Sequence, residues 1–178
     1  MMNQSSKLLT FPEAIAQSQK IMQQIAENQL NEAEIEDAIS SLVSSQTGAR
    51  GFFVAYLTSD LSLADRPTEG VIKGLRSSPV IVSDLLVKNV AMSVAMKLAH
   101  LRNQDETAAA GSQRVADRST NLIEQLQIPQ TKQQIKDLQS TIMKGEGSYQ
   151  KFLARWGYDK EQQEKICDAV TSINTRNI

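Results

Sequence analysis

The stretch Val80-Ile81-Val82-Ser83-Asp84-Leu85-Leu86-Val87-Lys88-Asn89-Val90-Ala91-Met92-Ser93-Val94-Ala95-Met96-Lys97-Leu98-Ala99-His100-Leu101 decides the fold. It is long and apolar enough to invite a transmembrane reading, yet it carries Asp84, Lys88, Asn89, Lys97 and His100. Central charges are costly in lipid, so the stretch reads as a helix inside a protein core and not as a membrane span. At about 100° per residue, Val87, Val90, Val94, Leu98 and Leu101 form one apolar ridge. Ile81, Leu85, Met92, Met96 and Ala99 form a second ridge on roughly the opposite side. Polar seams run between them, Asp84, Lys88 and Arg102 on one flank and Asn89, Ser93, Lys97 and His100 on the other. A helix apolar on two sides needs neighbours on both. The expectation is a central helix over about 79–103, capped by Ser78 and opened by Pro79, whose fixed φ suits a first helical position.

Toward the N-terminus the signals are helical as well. Thr10-Phe11-Pro12-Glu13 is a capping box with proline in the first turn, and Asn31-Glu32-Ala33-Glu34 is a second box. Behind the second box, Ile35, Ala38, Ile39, Leu42 and Val43 recur at helical spacing, with Gly48 as the expected stop. The two helices, joined by a short polar turn, read as an αα-hairpin. The run Gly51-Phe52-Phe53-Val54-Ala55-Tyr56-Leu57 has strand-like composition, but no partner strand is visible elsewhere. A lone strand would leave its backbone unpaired, so a short buried helix is expected. A loop over 58–69 and a short helix over 68–76 complete this half.

Toward the C-terminus, a helix over about 106–127 is polar except for Ala108, Val115, Leu122 and Leu126, and is expected on the outside. Its Gly111 weakens it by roughly 1 kcal/mol relative to alanine. Pro129 ends it, and Thr131-Lys132-Gln133-Gln134 reads as the next capping box, with a stop at Gly145. Ser148 would cap a short helix through Trp156, and Asp159 a last one with Ile166, Val170 and Ile173 inward. The fold class is therefore all-α: a multi-helix bundle around the 79–103 helix, with short C-terminal helices packed on it. It is read as one domain over 1–178, with a subdomain boundary placed near 128–131.

Composition narrows function more than it names it. The 178 residues hold 19 Lys and Arg against 20 Asp and Glu, a net charge of −1, without the basic excess of a nucleic-acid binder. Aromatics at 4% are few for a base-stacking surface. One cysteine and one histidine exclude a disulfide framework, a multi-thiolate zinc site and His-rich centres. No carboxylate and histidine set has the Glu-x-x-His spacing of bundle metal sites, so neither metal nor cofactor is expected. Residues 1–11 lack the apolar run of a secretory signal, and the lone Cys167 fits a reducing compartment; a cytoplasmic protein is expected.

Two groups of residues stand out. Arg50, Arg66, Lys73 and Arg76 gather around Ser77 and Ser78, where a helix N-terminus and its dipole favour an anion. The competing structural reading pairs the arginines with Asp60, Asp65 and Glu69 to hold an irregular loop. Gly48-Ala49-Arg50-Gly51 lacks the Lys-Ser/Thr ending of a phosphate-binding loop. The second group is aromatic: Tyr149, Phe152, Trp156 and Tyr158 with Arg155, joined by Phe52 further upstream, resembles the Trp, Tyr and Arg anchors of interfaces. His100 and Ser93 share a helix seam two turns apart, too far for direct proton transfer, and no catalytic residue is assigned. The reading that follows is a non-catalytic interaction or regulatory module, with a protein partner or a second copy, no membrane, and nucleic acid disfavoured. The alternative is a helical enzyme or sensor that binds a phosphate- or carboxylate-bearing ligand near residues 50–78.

Overall fold

The computed structural model describes residues 8–175; most of the segment read as free of a leader lies outside them. Among the described residues there are nine α-helices, one 3₁₀ turn and no strand. In chain order these are α1 (Phe11–Ala26), α2 (Glu32–Val43), α3 (Gln46–Thr58), the 3₁₀ turn (Ser62–Ala64), α4 (Glu69–Arg76), α5 (Pro79–Arg102), α6 (Glu106–Leu126), α7 (Pro129–Lys144), α8 (Gln150–Trp156) and α9 (Lys160–Ser172). The chain divides into two compact units, the first ending at Ile81 and the second beginning at Val82.

In the first unit both expected capping boxes form. Thr10 Oγ1 accepts from the Glu13 amide while Glu13 accepts from the Thr10 amide, and Asn31 and Glu34 repeat the exchange. The two helices do not, however, pair mainly with each other. α1 lies against α3 and α2 against α4, because small residues sit where these pairs cross. A Cβ built on Gly51 would stand 2.5 Å from the Ala14 Cβ, and one on Gly74 would stand 2.7 Å from the Ile39 Cβ. Gly70 comes equally close to the Glu32 carbonyl. Ile35, Ile39, Leu42 and Val43 of α2, with Val71 and Leu75 of α4, fill the interior.

The ambiguous run 51–57 is helix: α3 starts at the Ser45 cap, whose hydroxyl accepts from the Gly48 amide. Gly48 is thus a first-turn residue of α3, not the stop of α2. Phe52 stacks on Tyr56 with centroids 4.9 Å apart and meets Phe53 edge-on at 5.4 Å. The Tyr56 hydroxyl donates to the Leu63 carbonyl at 2.8 Å and ties down the following loop.

The second unit is built on α5. Tyr149 at the head of α8 donates its hydroxyl to Asp84 at 3.2 Å. Lys88 donates to Asp84 at 2.6 Å, and its ammonium stands 5.9 Å from the ring centroids of both Tyr149 and Phe152. From α9, the Gln162 side-chain amide donates to the Ala95 carbonyl at 3.1 Å, and Asp159 accepts from Arg102 at 2.6 Å. On the α6 side Lys97 donates to Gln113 at 2.6 Å. α5 is buried around most of its circumference from Val82 to Ala95 and opens beyond that point. Of its two ridges, the first is buried at Val87 and Val90; the second is buried only at Leu85, and Met96 is 42% exposed. Long and apolar enough to cross a membrane by length and composition, α5 has half of its most apolar window buried inside the protein.

α6 starts from the Asp105 cap and ends at Gln127 in the left-handed region. α7 begins directly at Pro129 without a side-chain cap, so Thr131 lies buried within its first turn and does not cap it. Gly145 and Gly157 terminate α7 and α8 with positive φ, as their positions suggest. The short helix α8 takes no cap from Ser148, while Asp159 caps α9 with a full box to Gln162.

Candidate functional site

The basic residues around α4 are each accounted for individually. Arg50 is exposed on α3, its guanidinium 5.2 Å from the Phe11 ring centroid. Arg66 is exposed in the loop ahead of α4. Lys73, one turn into α4, lies 2.7 Å from Glu69. That hydrogen bond and charge hold the Lys73 ammonium above its ordinary pKa, with smaller help from Glu36 and Glu32 of α2. Arg76 closes α4 on its exposed side, and Ser77 donates its hydroxyl back to the Gly74 carbonyl at 2.7 Å. Ser78 is half-buried just before Pro79. Arg50 thus belongs to the α1–α3 pair, whereas Lys73, Arg76 and Ser77 share the last turns of α4.

The N-terminus of α4 already holds an anion supplied by the chain. The Glu32 carboxylate, 38 residues upstream, accepts from the Gly70 amide at 2.5 Å, next to Thr68, whose hydroxyl accepts from the Val71 amide. Free amides and the helix dipole favour negative charge there. This internal cap was not foreseen, because Glu32 also satisfies the pattern of a first-turn residue of α2.

The aromatic group of the second unit divides into a buried and an exposed part. Tyr149 and Leu153 are buried, and Phe152 is half-buried between the rings of Tyr149 and Tyr158, each 6.2 Å away. Burial, then the Asp84 charge and hydrogen bond, push the Tyr149 hydroxyl far above its ordinary pKa. Burial alone raises Tyr158 to about 12. Trp156 remains 46% exposed with the Arg155 guanidinium 5.5 Å from its ring centroid, and Met143 at the end of α7 is 80% exposed. Phe52 is a different case: at 1% exposure it is core in the first unit and offers no surface to a partner. Its sequence neighbourhood concealed this, since burial of an aromatic depends on which helices close over it.

Ser93 is buried and His100 half-buried along α5. No group of three or more His, Cys, Asp or Glu among the described residues could hold a metal ion. Burial, with the neighbouring Asp168 charge, holds the Cys167 thiol above its ordinary value, the opposite of an activated nucleophile.

Each unit also carries a cleft. In the first, about 380 Å³ opens between Ile25, Leu30, Glu32 and Ile35 on one side and Leu61 and Leu63 on the other. In the second, about 300 Å³ opens between α5, α6 and the end of α9. The second cleft was hidden in the sequence by treating the polar residues of α6 as a plain solvated face.

Residues 10–173 match the family described as uncharacterised conserved protein UCP020893. No curated protein and no solved structure matches the chain.

Proposed function

The chain belongs to that family along both of its units, and on this premise we propose that it is a non-catalytic interaction or regulatory module, acting in the cytoplasm on a protein partner or a second copy. The observation that carries the reading is Trp156, held half-exposed beside Arg155 on a helix whose other face is fixed to α5 by Tyr149, Asp84 and Lys88. A large aromatic presented on a rigid element loses little entropy on binding, and Trp and Arg dominate interface hot spots. Lys151 and Arg155, one turn apart on the exposed side of α8, favour an acidic partner surface.

Cross-linking in native extract, followed by purification, tests the reading. One stoichiometric partner, or a defined homo-oligomer, should be recovered with the natural chain and lost with both Trp156→Ala and Arg155→Glu. Recovery of the same species at the same yield with both variants would refute it.

The second reading, an anionic ligand near Arg50, Arg66, Lys73 and Arg76, draws on Arg66, which is exposed and whose guanidinium has no partner among the described residues. It requires phosphate to raise the melting temperature, and Arg50→Ala with Arg76→Ala to abolish the rise. A flat response across an anion series removes it.

A further inference from the structure

The cleft of the first unit has an apolar floor and acidic surroundings. Ile25 of α1, Leu30 of the turn and Ile35 of α2 face Leu61 and Leu63, and about 380 Å³ stays open over them. The two isoleucines are buried, whereas the three leucines are half-buried along the opening. The turn from α1 into α2 carries Glu27, Glu32 and Glu34, all exposed. Neutral donors hold each of them: Gln23 and Gln29 donate to Glu27, the Gly70 amide to Glu32 and the Asn31 amide to Glu34. Of the neighbouring cations, Lys73 is paired with Glu69, and Arg66 lies beside Asp65 in the loop between Leu63 and Thr68. Through Ile81 the chain has six Lys and Arg against nine Asp and Glu, so negative charge is left over in this unit.

The second unit presents the opposite character. From Val82 onward, 13 Lys and Arg outnumber 11 Asp and Glu. Trp156, the only tryptophan of the chain, is 46% exposed with the Arg155 guanidinium beside it. Lys151 is exposed one turn earlier, and α8 itself carries no carboxylate. Interface tryptophans typically fill a pocket on the partner, and the first unit's cleft is of the size that holds a ring system.

We propose that this cleft receives Trp156 from a second copy of the chain, with Lys151 and Arg155 set against Glu27, Glu32 and Glu34. The proposal rests on the reading of Trp156 as an interaction anchor and names what it enters. Donor and acceptor are different surfaces of one chain, so the contact is heterologous: each copy has a tryptophan to give and a cleft to fill. One indole with a charged flank is a small contact, which makes the association reversible and sensitive to salt.

Sedimentation velocity of the full chain over a concentration series, with the emission of its lone tryptophan, tests this. The natural chain should self-associate as concentration rises, its emission moving to shorter wavelength, and salt should weaken both. Trp156→Ala should weaken association at least about thirtyfold, the scale of a hot-spot residue. Ala26→Arg, at an exposed position lining the cleft, should do the same with the fold unchanged by circular dichroism. Mixed together, the two variants should form a one-to-one heterodimer, since one keeps its tryptophan and the other its open cleft. A natural chain that stays monomeric throughout would overturn the proposal, as would a mixture that restores nothing. Loss with Trp156→Ala but not with Ala26→Arg would overturn the cleft and leave the Trp156 surface standing; association that survives Trp156→Ala would overturn both.

Discussion

The two units are held together internally by different means. In the first, backbones approach one another: Gly51 meets Ala14, and Gly70 and Gly74 meet Glu32 and Ile39, so that the helix pairs touch almost main chain to main chain. In the second, side chains reach across gaps. Asp84, Lys88 and Tyr149 tie α8 to α5, Gln162 hooks the Ala95 carbonyl, and Arg102 grips Asp159 and Glu161. Gln139 likewise donates to Thr171 at 2.8 Å between α7 and α9. Close backbone packing tolerates no added atom, whereas reaching polar side chains can be trimmed at modest cost. The units should therefore differ in which substitutions they resist.

The largest effect is expected where the first unit has no room. In Gly51→Ala and Gly74→Ala the new methyl meets Cβ atoms at 2.5 and 2.7 Å. Overpacking costs of about 1–3 kcal/mol should outweigh the helix-propensity gain of alanine, which is at most about 1 kcal/mol. A net loss of about 1 kcal/mol, or about 3 °C in melting temperature, is the expected reading by circular dichroism. A neutral Gly51→Ala would break the contrast between the units.

In the second unit, Tyr149→Phe should cost about 1 kcal/mol in chemical denaturation, the net value of its hydrogen bond to Asp84. The same region predicts alkaline sensitivity. Tyr149 and Tyr158 are acids whose folded pKa lies above the ordinary value. The unfolded chain therefore sheds their protons first as pH rises. Stability is complete below about pH 10 and declines from there toward Tyr158's folded value of about 12. The double variant Tyr149→Phe, Tyr158→Phe should flatten that decline in a pH series of melts.

Gly111→Ala reverses the sign of the glycine effect. Nothing lies within 4 Å of the added Cβ, so the α6 interior should gain about 0.5–1 kcal/mol. Arg102→Ala should have the smallest effect, because both of its carboxylate partners are exposed. Its signature is a pH dependence. Asp159 is held below the ordinary carboxylate pKa, first by the Arg102 hydrogen bond. The difference from the natural chain should be present at neutral pH and vanish as acid protonates Asp159 in the folded state.

Helix positions were readable at most places where a local rule sets them, the caps expected at Thr131 and Ser148 being exceptions. The boxes at Thr10 and Asn31, the proline at 79, the Asp159 cap and the stops at Gly145 and Gly157 all depend on residues within one turn of each other. What escaped the sequence is long-range. Gly48 looks like a stop because glycine commonly ends helices; only the partner helices reveal that glycines in α3 and α4 serve approach. Phe52 looks like an anchor until α3 is placed in its unit. The polar face of α6 looks solvated until α5 and α9 form the opposite wall of a cleft. Of the candidate site residues, Arg155 and Trp156 keep the exposure their reading needs, while the basic residues near α4 are divided between two helix pairs.

The interleaved pairing of α1 with α3 and α2 with α4 has a consequence for how the first unit assembles. Each pair encloses a helix of the other, so neither can close as a simple local hairpin, and the Glu32 carboxylate waits for an amide that lies 38 residues further on. No fragment shorter than the stretch from α1 to α4 contains both completed pairs. The α1–α3 pair can close once α3 has emerged, but α2 and its Glu32 carboxylate find their partners only when α4 follows, and the unit is complete only then.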